Sequence, residues 1–379
     1  SLASGEYATG REKLAASAWQ SYEELAKRHD LVVCEGAGSP AEINLRAGDY
    51  TNMGLARRFN LPVTLVGDID RGGVLAALFG TWALLDEEDR SLLTGYVINK
   101  FRGDESVLAP GLAEITRRTG LVNLGVLPWL AGVQLDGEDS LALGNPTRMR
   151  THPGLSEPLA IAVVRLPRIV NATDVDALAQ EPGIQVFVTS SPEQAAAADL
   201  VIVPGTRSPA EATRWLQDTG LAGILRERVA AQRPILGIAN GFRLFGNQLP
   251  GHDSNQLVAG TEEGRGARRR HGSWRGHQVH GYETHGSQAT LAPEADPGAE
   301  AFPGGLQLGT TWGTTWHGIF ENDGFRRSWL TAVANQARKR WEPDPASPAF
   351  AERREAMITT VAAAIEEAVD VEKLFSWAR

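Results

Sequence analysis

The sequence predicts a two-domain α/β protein, and three observations carry that expectation. At 379 residues the chain exceeds what one typical core needs, so two cores with ample burial are expected. Short continuous apolar runs alternate with helical stretches, the pattern of parallel sheets covered on both faces. Midway, residues 144–158 (GNPTRMRTHPGLSEP) are rich in Pro, Gly, Ser and Thr, as a linker is. The expected domains are therefore residues 1–143 and 159–379.

The chain opens on an expected amphipathic helix, because Leu14, Ala18, Tyr22 and Leu25 recur at helical spacing. Strands are expected at 31–34, 63–66, 96–98 and 124–127, and after the linker at 159–164, 184–188, 200–203 and 235–238. Helices are expected at 209–216 and 221–232. Beyond Gly251 a Gly- and Arg-rich stretch weakens the pattern, which recovers at 279–285. Residues 350–375 read as one long helical segment, and the sequence shows no internal repeat.

Composition sets limits on function. A formal net charge of −9 argues against general affinity for nucleic acid, which needs a basic surface. No run approaches the roughly 18 consecutive apolar residues of a membrane helix. The opening SLASGEYATGREKL has no apolar stretch of the signal-peptide kind, so a cytoplasmic setting is expected. The single cysteine, Cys34, rules out an internal disulfide framework or a multi-cysteine metal site. Within the run 31–34 it reads as a small core residue rather than a reactive thiol.

Three successive strand ends of the first domain carry polar clusters with glycines. They are Glu35-Gly36-Ala37-Gly38-Ser39, then Asp68-Ile69-Asp70-Arg71-Gly72-Gly73, then Asn99-Lys100-Phe101-Arg102-Gly103-Asp104. Strand carboxyl ends are where open α/β sheets bind ligands. Glycines there let backbone approach a phosphate, and a carboxylate can hold Mg²⁺ through water. Any one cluster is equally a polar turn. Three in series would converge on one edge of one sheet.

Read together, EGAGSPAEINL, NMG, DIDRGG, VINKFRGD and GVLPW resemble the cobyric acid synthase family, in the order that family shows them. The resemblance implies a first domain similar to dethiobiotin synthetase, of the P-loop nucleotide-binding class. It also implies ATP and Mg²⁺, with Glu35 and Asp68 near the ion and triphosphate. Gly36, Gly38, Asp70, Arg71, Asn99, Lys100 and Arg102 would border the nucleotide or a carboxylate substrate. That family begins with a strand and a loop ending in Gly-Lys-Ser or Gly-Lys-Thr, and neither tripeptide occurs in this sequence. The chain therefore reads as an N-terminally truncated relative or a fragment, with ATP binding impaired.

The second domain resembles a class I glutamine amidotransferase. Those enzymes need a thiolate at a sharp strand-to-helix turn, a histidine and backbone amides for the oxyanion. The segment Gly237-Ile238-Ala239-Asn240-Gly241-Phe242 has the pattern of that turn, with Ala239 aligned to the cysteine and Asn240 to a glycine. Val203-Pro204-Gly205-Thr206-Arg207 resembles the segment whose glycine, here Gly205, supplies an oxyanion amide. Trp312-Gly313-Thr314-Thr315-Trp316-His317-Gly318-Ile319-Phe320 resembles the block bearing the catalytic histidine, here His317. Gly281-Tyr282-Glu283-Thr284-His285 and Arg165-Leu166-Pro167-Arg168 match two further segments. His280 and His285 read as framework residues, and the run 264–271 (GRGARRRH) reads as a solvated loop rather than a site for a carboxylate-rich substrate.

An alanine methyl cannot attack a carboxamide, and an asparagine amide is no substitute nucleophile. The glutaminase step is therefore expected to be absent. Three readings stay open. One is an ATP-dependent carbon–nitrogen ligase acting on a corrinoid carboxylate with free ammonia in place of glutamine. Another is a non-catalytic paralogue that binds a corrinoid, glutamine or a partner; the third is a gene remnant.

Overall fold

The computed structural model describes residues 4–131, 133, 157–246, 267–284 and 298–378. All but the last two residues of the expected linker, the stretch 251–266 and His285 lie outside the described residues. The chain divides into two compact units, Ser1–Gln134 with Met357–Arg379, and Leu135–Ala356.

The first unit contains α1 (Ser4–Ala26), α2 (Met53–Phe59), β1 (Val63–Asp68), α3 (Val74–Leu84), α4 (Glu87–Leu92), β2 (Leu93–Phe101), α5 (Ala109–Thr119) and β3 (Val122–Pro128). Its strands form a parallel sheet in the order β1-β2-β3. Tyr96 and Ile98 on the central strand are fully buried among Leu65, Val74, Leu78, Leu112 and Val126. The Tyr96 hydroxyl, rather than being stranded, donates to the Leu112 carbonyl at 3.0 Å. Buried Asp89 of α4 accepts from Arg46 Nε at 2.8 Å and Arg57 Nε at 2.5 Å, tying α4 to α2 and the preceding turn.

Three expectations fail here. Residues 31–34 form no strand, because among the described residues no neighbour offers them a ladder and β1 pairs with β2 alone. Leu31 and Val33 are exposed, as is Cys34, so the thiol is not a core residue. The buried stripe of α1 is also shifted. It runs through buried Ala15 and half-buried Ala18, Trp19 and Tyr22, while Leu14 and Leu25 are exposed. The aromatic members fix that choice: Tyr22 lies 4.3 Å from the Phe59 ring, and the Arg58 guanidinium lies 5.4 Å from the Trp19 ring.

The second unit begins with β4 (Leu159–Val164), α6 (Asp176–Ala179), β5 (Ile184–Thr189), α7 (Pro192–Ala197) and β6 (Leu200–Val203). It continues through α8 (Pro209–Asp218), α9 (Leu221–Ala230), β7 (Ile235–Ile238) and α10 (Arg243–Gly246). A hairpin of β8 (Arg268–Trp274) and β9 (His277–Glu283) precedes β10 (Ala299–Phe302), β11 (Gly305–Leu308) and β12 (Thr311–Thr314). Helices α11 (Asp323–Gln336), α12 (Phe350–Ala368) and α13 (Val371–Ser376) close the chain.

Seven strands make one sheet in the order β10-β11-β12-β7-β6-β4-β5, parallel from β12 through β5. Its central strands are buried on both faces, which is why they read as continuous apolar runs. Along β4, Leu159, Ile161 and Val163 enter one core and Ala162 and Val164 the other. Arg228 of α9 is buried and caps a helix end, donating to the carbonyls of Ala195 (3.1 Å), Ala198 (2.9 Å), Asp199 (3.0 Å) and Pro234 (2.8 Å). Burial pulls its pKa down to about 9, which leaves it charged at neutral pH.

The expected long C-terminal helix is two helices, broken at Val369-Asp370, where Asp370 caps α13 by accepting from Lys373 N–H. Residues 357–379 cluster with the first unit rather than with the rest of 159–379. The reason is local: Asp370 N–H donates to the Leu124 carbonyl of β3 at 2.7 Å, and Val369 packs with Val97 and Leu124.

Candidate active site

Three adjacent parallel strands of the second unit deliver the key residues. Pairings Val203↔Gly237 and Ile238↔Thr314 put the carboxyl ends of β6, β7 and β12 side by side. Gly205 follows β6, Ala239 follows β7 and His317 follows β12 within three residues of each strand end. The sheet itself brings the three together.

Ala239 has φ 52°, in the left-handed region that an L-residue rarely adopts. The sharp turn after β7 is therefore retained with alanine at its strained position. Its neighbours must be small. A Cβ on Gly237 would lie 2.3 Å from Phe242 Cα, and one on Gly241 would lie 2.2 Å from the Val203 carbonyl oxygen. Gly205 faces the same turn, since a Cβ there would lie 3.2 Å from the Ala239 Cβ. Asn240 holds the turn from the other side, with Nδ2 donating to the Thr206 carbonyl at 2.6 Å and Oδ1 accepting from Thr206 N–H at 2.8 Å.

His317 is completely buried, and its Nδ1 lies 2.7 Å from Asp174 Oδ2. An ionised carboxylate only accepts, so Nδ1–H is the donor in this bond. Asp174 Oδ1 also accepts from Gly318 N–H at 2.9 Å, which fixes the carboxylate on both oxygens. His317 Nε2 is buried without a hydrogen-bond partner among the described residues. The Tyr282 ring lies 5.5 Å from the imidazole, and backbone bonds in both directions pair Tyr282 with His317. Burial, and then the charges of Asp174 and Glu321, push the Tyr282 phenol up. An oriented imidazole beside a strained strand-end turn is the geometry of a proton-transfer group serving a nucleophile.

The sequence reading missed Asp174. It lies 143 residues before His317, in a short 3-10 turn after β4, and no local motif marks it. His280 pairs with His271 across the β8–β9 hairpin, their Nδ1 atoms 2.7 Å apart. The described part of the expected solvated loop, from Arg268 onward, is strand β8.

In the first unit the carboxyl edge gathers most of the expected cluster. Register places Asp68 opposite Asn99. Lys100 Nζ donates to Asp68 Oδ2 at 2.6 Å, and Asp68 Oδ1 accepts from Asp70 N–H at 3.0 Å. The Lys100 hydrogen bond leads in holding the Asp68 carboxyl below the usual carboxylate range. Arg102 pairs with Asp70 at 3.3 Å and stacks 3.8 Å from the Trp129 ring. Arg71 is exposed in the glycine turn before α3. Glu35, Gly36 and Gly38 lie in an exposed loop rather than at a strand end. Gly36 packs closely on Asn52, since a Cβ there would lie 1.8 Å from Asn52 Oδ1.

Residues 160–325 match the CobB/CobQ-like glutamine amidotransferase domain, and residues 3–135 match an AAA domain. The chain is 50% identical to the cobyric acid synthase of Cutibacterium acnes over 394 residues, covering 100% of this chain and 80% of that protein. The chain belongs to the cobyric acid synthase family. Cobyric acid synthases of Mycolicibacterium vanbaalenii and Frankia casuarinae are 44% and 43% identical, covering 98% and 96% of this chain and 76% of each of theirs. Cobyric acid synthase membership accounts for the two α/β units and for the amidotransferase elbow in the second. No helix among the described residues is long and apolar enough to cross a membrane.

Proposed function

We propose that this chain carries out the ligase reaction of the cobyric acid synthase family with ammonia as its nitrogen source, glutamine hydrolysis having been lost. The family reaction amidates carboxylates of adenosylcobyrinic acid a,c-diamide to give adenosylcobyric acid. Each carboxylate attacks the γ-phosphorus of ATP, forming an acyl phosphate and releasing ADP. Ammonia then adds to the acyl carbon and gives up one proton to solvent, while the bond from the acyl carbon to the phosphate oxygen breaks with its electron pair going to the departing phosphate, giving the amide.

One observation carries the loss of glutaminase: the strained position of the elbow, beside the His317–Asp174 pair, holds an alanine. Its methyl has no lone pair to attack a carboxamide, so no thioester forms and no ammonia is released from glutamine. Loss of a whole nucleophile costs several orders of magnitude in rate. His317 would have served as the base and then as the acid toward the leaving ammonia.

The carboxyl edge of β1 and β2 is the proposed place for nucleotide and substrate carboxylate. Asp68, Asp70, Arg71, Asn99, Lys100 and Arg102 line it, with cations able to exchange a carboxylate partner for a phosphate or substrate oxygen. Mg²⁺ fits Glu35 and Asp68 poorly as they stand. Both Asp68 oxygens already accept hydrogen bonds, one of them from the Lys100 ammonium, and Glu35 lies in a separate exposed loop. No step is therefore assigned to the ion.

That self-satisfied edge favours a second reading, a non-catalytic relative that binds a corrinoid. The full-length protein with the diamide corrinoid, ATP and ammonium chloride separates the two. The ligase reading expects amidated corrinoid by mass spectrometry. Corrinoid binding by calorimetry without any amidation would overturn it in favour of the second.

A further inference from the structure

The two residues at the tip of the elbow do different things. Ala239 takes the strained backbone position, while Asn240 commits its whole carboxamide to one neighbour. Thr206 is buried, and its hydroxyl donates to the Pro167 carbonyl at 2.6 Å. With Asn240 bound to its N–H and carbonyl, all three polar groups of Thr206 are engaged. This is the turn that faces Ala239. A Cβ on Gly205 would lie 3.2 Å from the Ala239 methyl and 3.7 Å from Asn240 Oδ1.

A primary carboxamide is also the reacting group of glutamine. It accepts a backbone N–H through its oxygen and donates through its nitrogen. We propose that Asn240 occupies the carboxamide-binding position of its own elbow, closing it to glutamine independently of the missing sulfur. Asn240 is thus a positioning residue that holds, in an internal contact, the Thr206 N–H next in the chain to the Gly205 amide expected to face the oxyanion. The inference rests on the reading of the elbow given above and adds a second block to it. A thiol restored at position 239 would meet a site already filled.

Three variants of the full-length protein test this: Ala239→Cys, Asn240→Gly and the double substitution. Loss of one oxyanion donor costs about 10²–10³-fold in kcat. Ala239→Cys alone should therefore release glutamate from glutamine at least about 100-fold more slowly than the double variant. Peptide mapping should show iodoacetamide alkylating the thiol at position 239 at similar rates in the two cysteine variants, separately from exposed Cys34, which shows that the new sulfur itself is competent. Equal glutamate release by the two cysteine variants, or none by the double variant, overturns the role of Asn240 while leaving the Ala239 argument intact. Glutamate release by the unsubstituted protein would instead overturn the proposed function.

Binding supplies a readout that needs no thiol, and Asn240→Ala guards against misfolding of the glycine variant. Calorimetric titration with L-glutamine should give measurable heat for Asn240→Gly and Asn240→Ala and none for the unsubstituted protein. Matching results in all three, whether binding or not, overturn the proposal.

Discussion

Gly237 and Gly241 hold the strained turn by having no side chains. Their Cβ atoms would sit 2.3 Å from the Phe242 Cα and 2.2 Å from the Val203 oxygen, and backbone cannot move aside as a side chain can. Gly237→Ala and Gly241→Ala should each cost about 1–3 kcal/mol in urea unfolding, as overpacking does. Asp174→Ala should cost about 1–3 kcal/mol, because it strands the His317 Nδ1–H and Gly318 N–H without an acceptor. At this scale the sequence singled out Ala239, Gly205 and His317, which follow three adjacent strand ends, because each sits in a contiguous block beside a strand. Asp174 was invisible, since only closure of the sheet brings it to a histidine 143 residues away. The Asn240 contact was equally hidden: a residue type does not disclose that its amide reaches Thr206.

Among elements, ion pairs do the joining. Buried Arg326 of α11 donates to Glu181 Oε1 from Nε at 2.9 Å and from Nη2 at 2.6 Å, and its Nη1 donates to the Phe320 carbonyl at 2.6 Å. Glu181→Gln removes one of the two carboxylates that balance the buried Arg326 guanidinium, the other being Asp323 at 2.5 Å, and should cost about 1–3 kcal/mol in chemical denaturation. At the β1–β2 edge, Lys100 holds the Asp68 carboxyl down, so its folded pKa lies below its unfolded one. Stability from that pair is present above the unfolded value of about 3.9 and is lost as pH falls through the lowered folded value. Lys100→Met should move the Asp68 carboxyl titration, followed by NMR, upward; an unmoved titration would deny the pairing. Seven of the eight expected strands were legible because parallel strands buried on both faces read as continuous apolar runs. The run at 31–34 has the same composition and forms no strand, because a strand also needs a neighbour.

For the whole molecule, the division into two α/β units was legible from length, alternation and the polar stretch between the two strand series. The destination of the C-terminus was not. Sequence proximity assigns residues 350–375 to the second domain, yet Val369, Leu374 and Trp377 pack against Val97 and Leu124 of the first unit. Deleting residues 357–379 should therefore lower hydrogen-exchange protection in β2 and β3 while leaving β4–β7 unchanged. Equal loss in both sheets would contradict the division. The central claim concerns the source of nitrogen, and isotope competition reads it directly. The full-length protein is given the corrinoid diamide and ATP with [¹⁵N-amide]glutamine and unlabelled ammonium chloride together, then with the labels exchanged. The predicted result is product nitrogen drawn from ammonium alone; ¹⁵N arriving from glutamine would contradict the account.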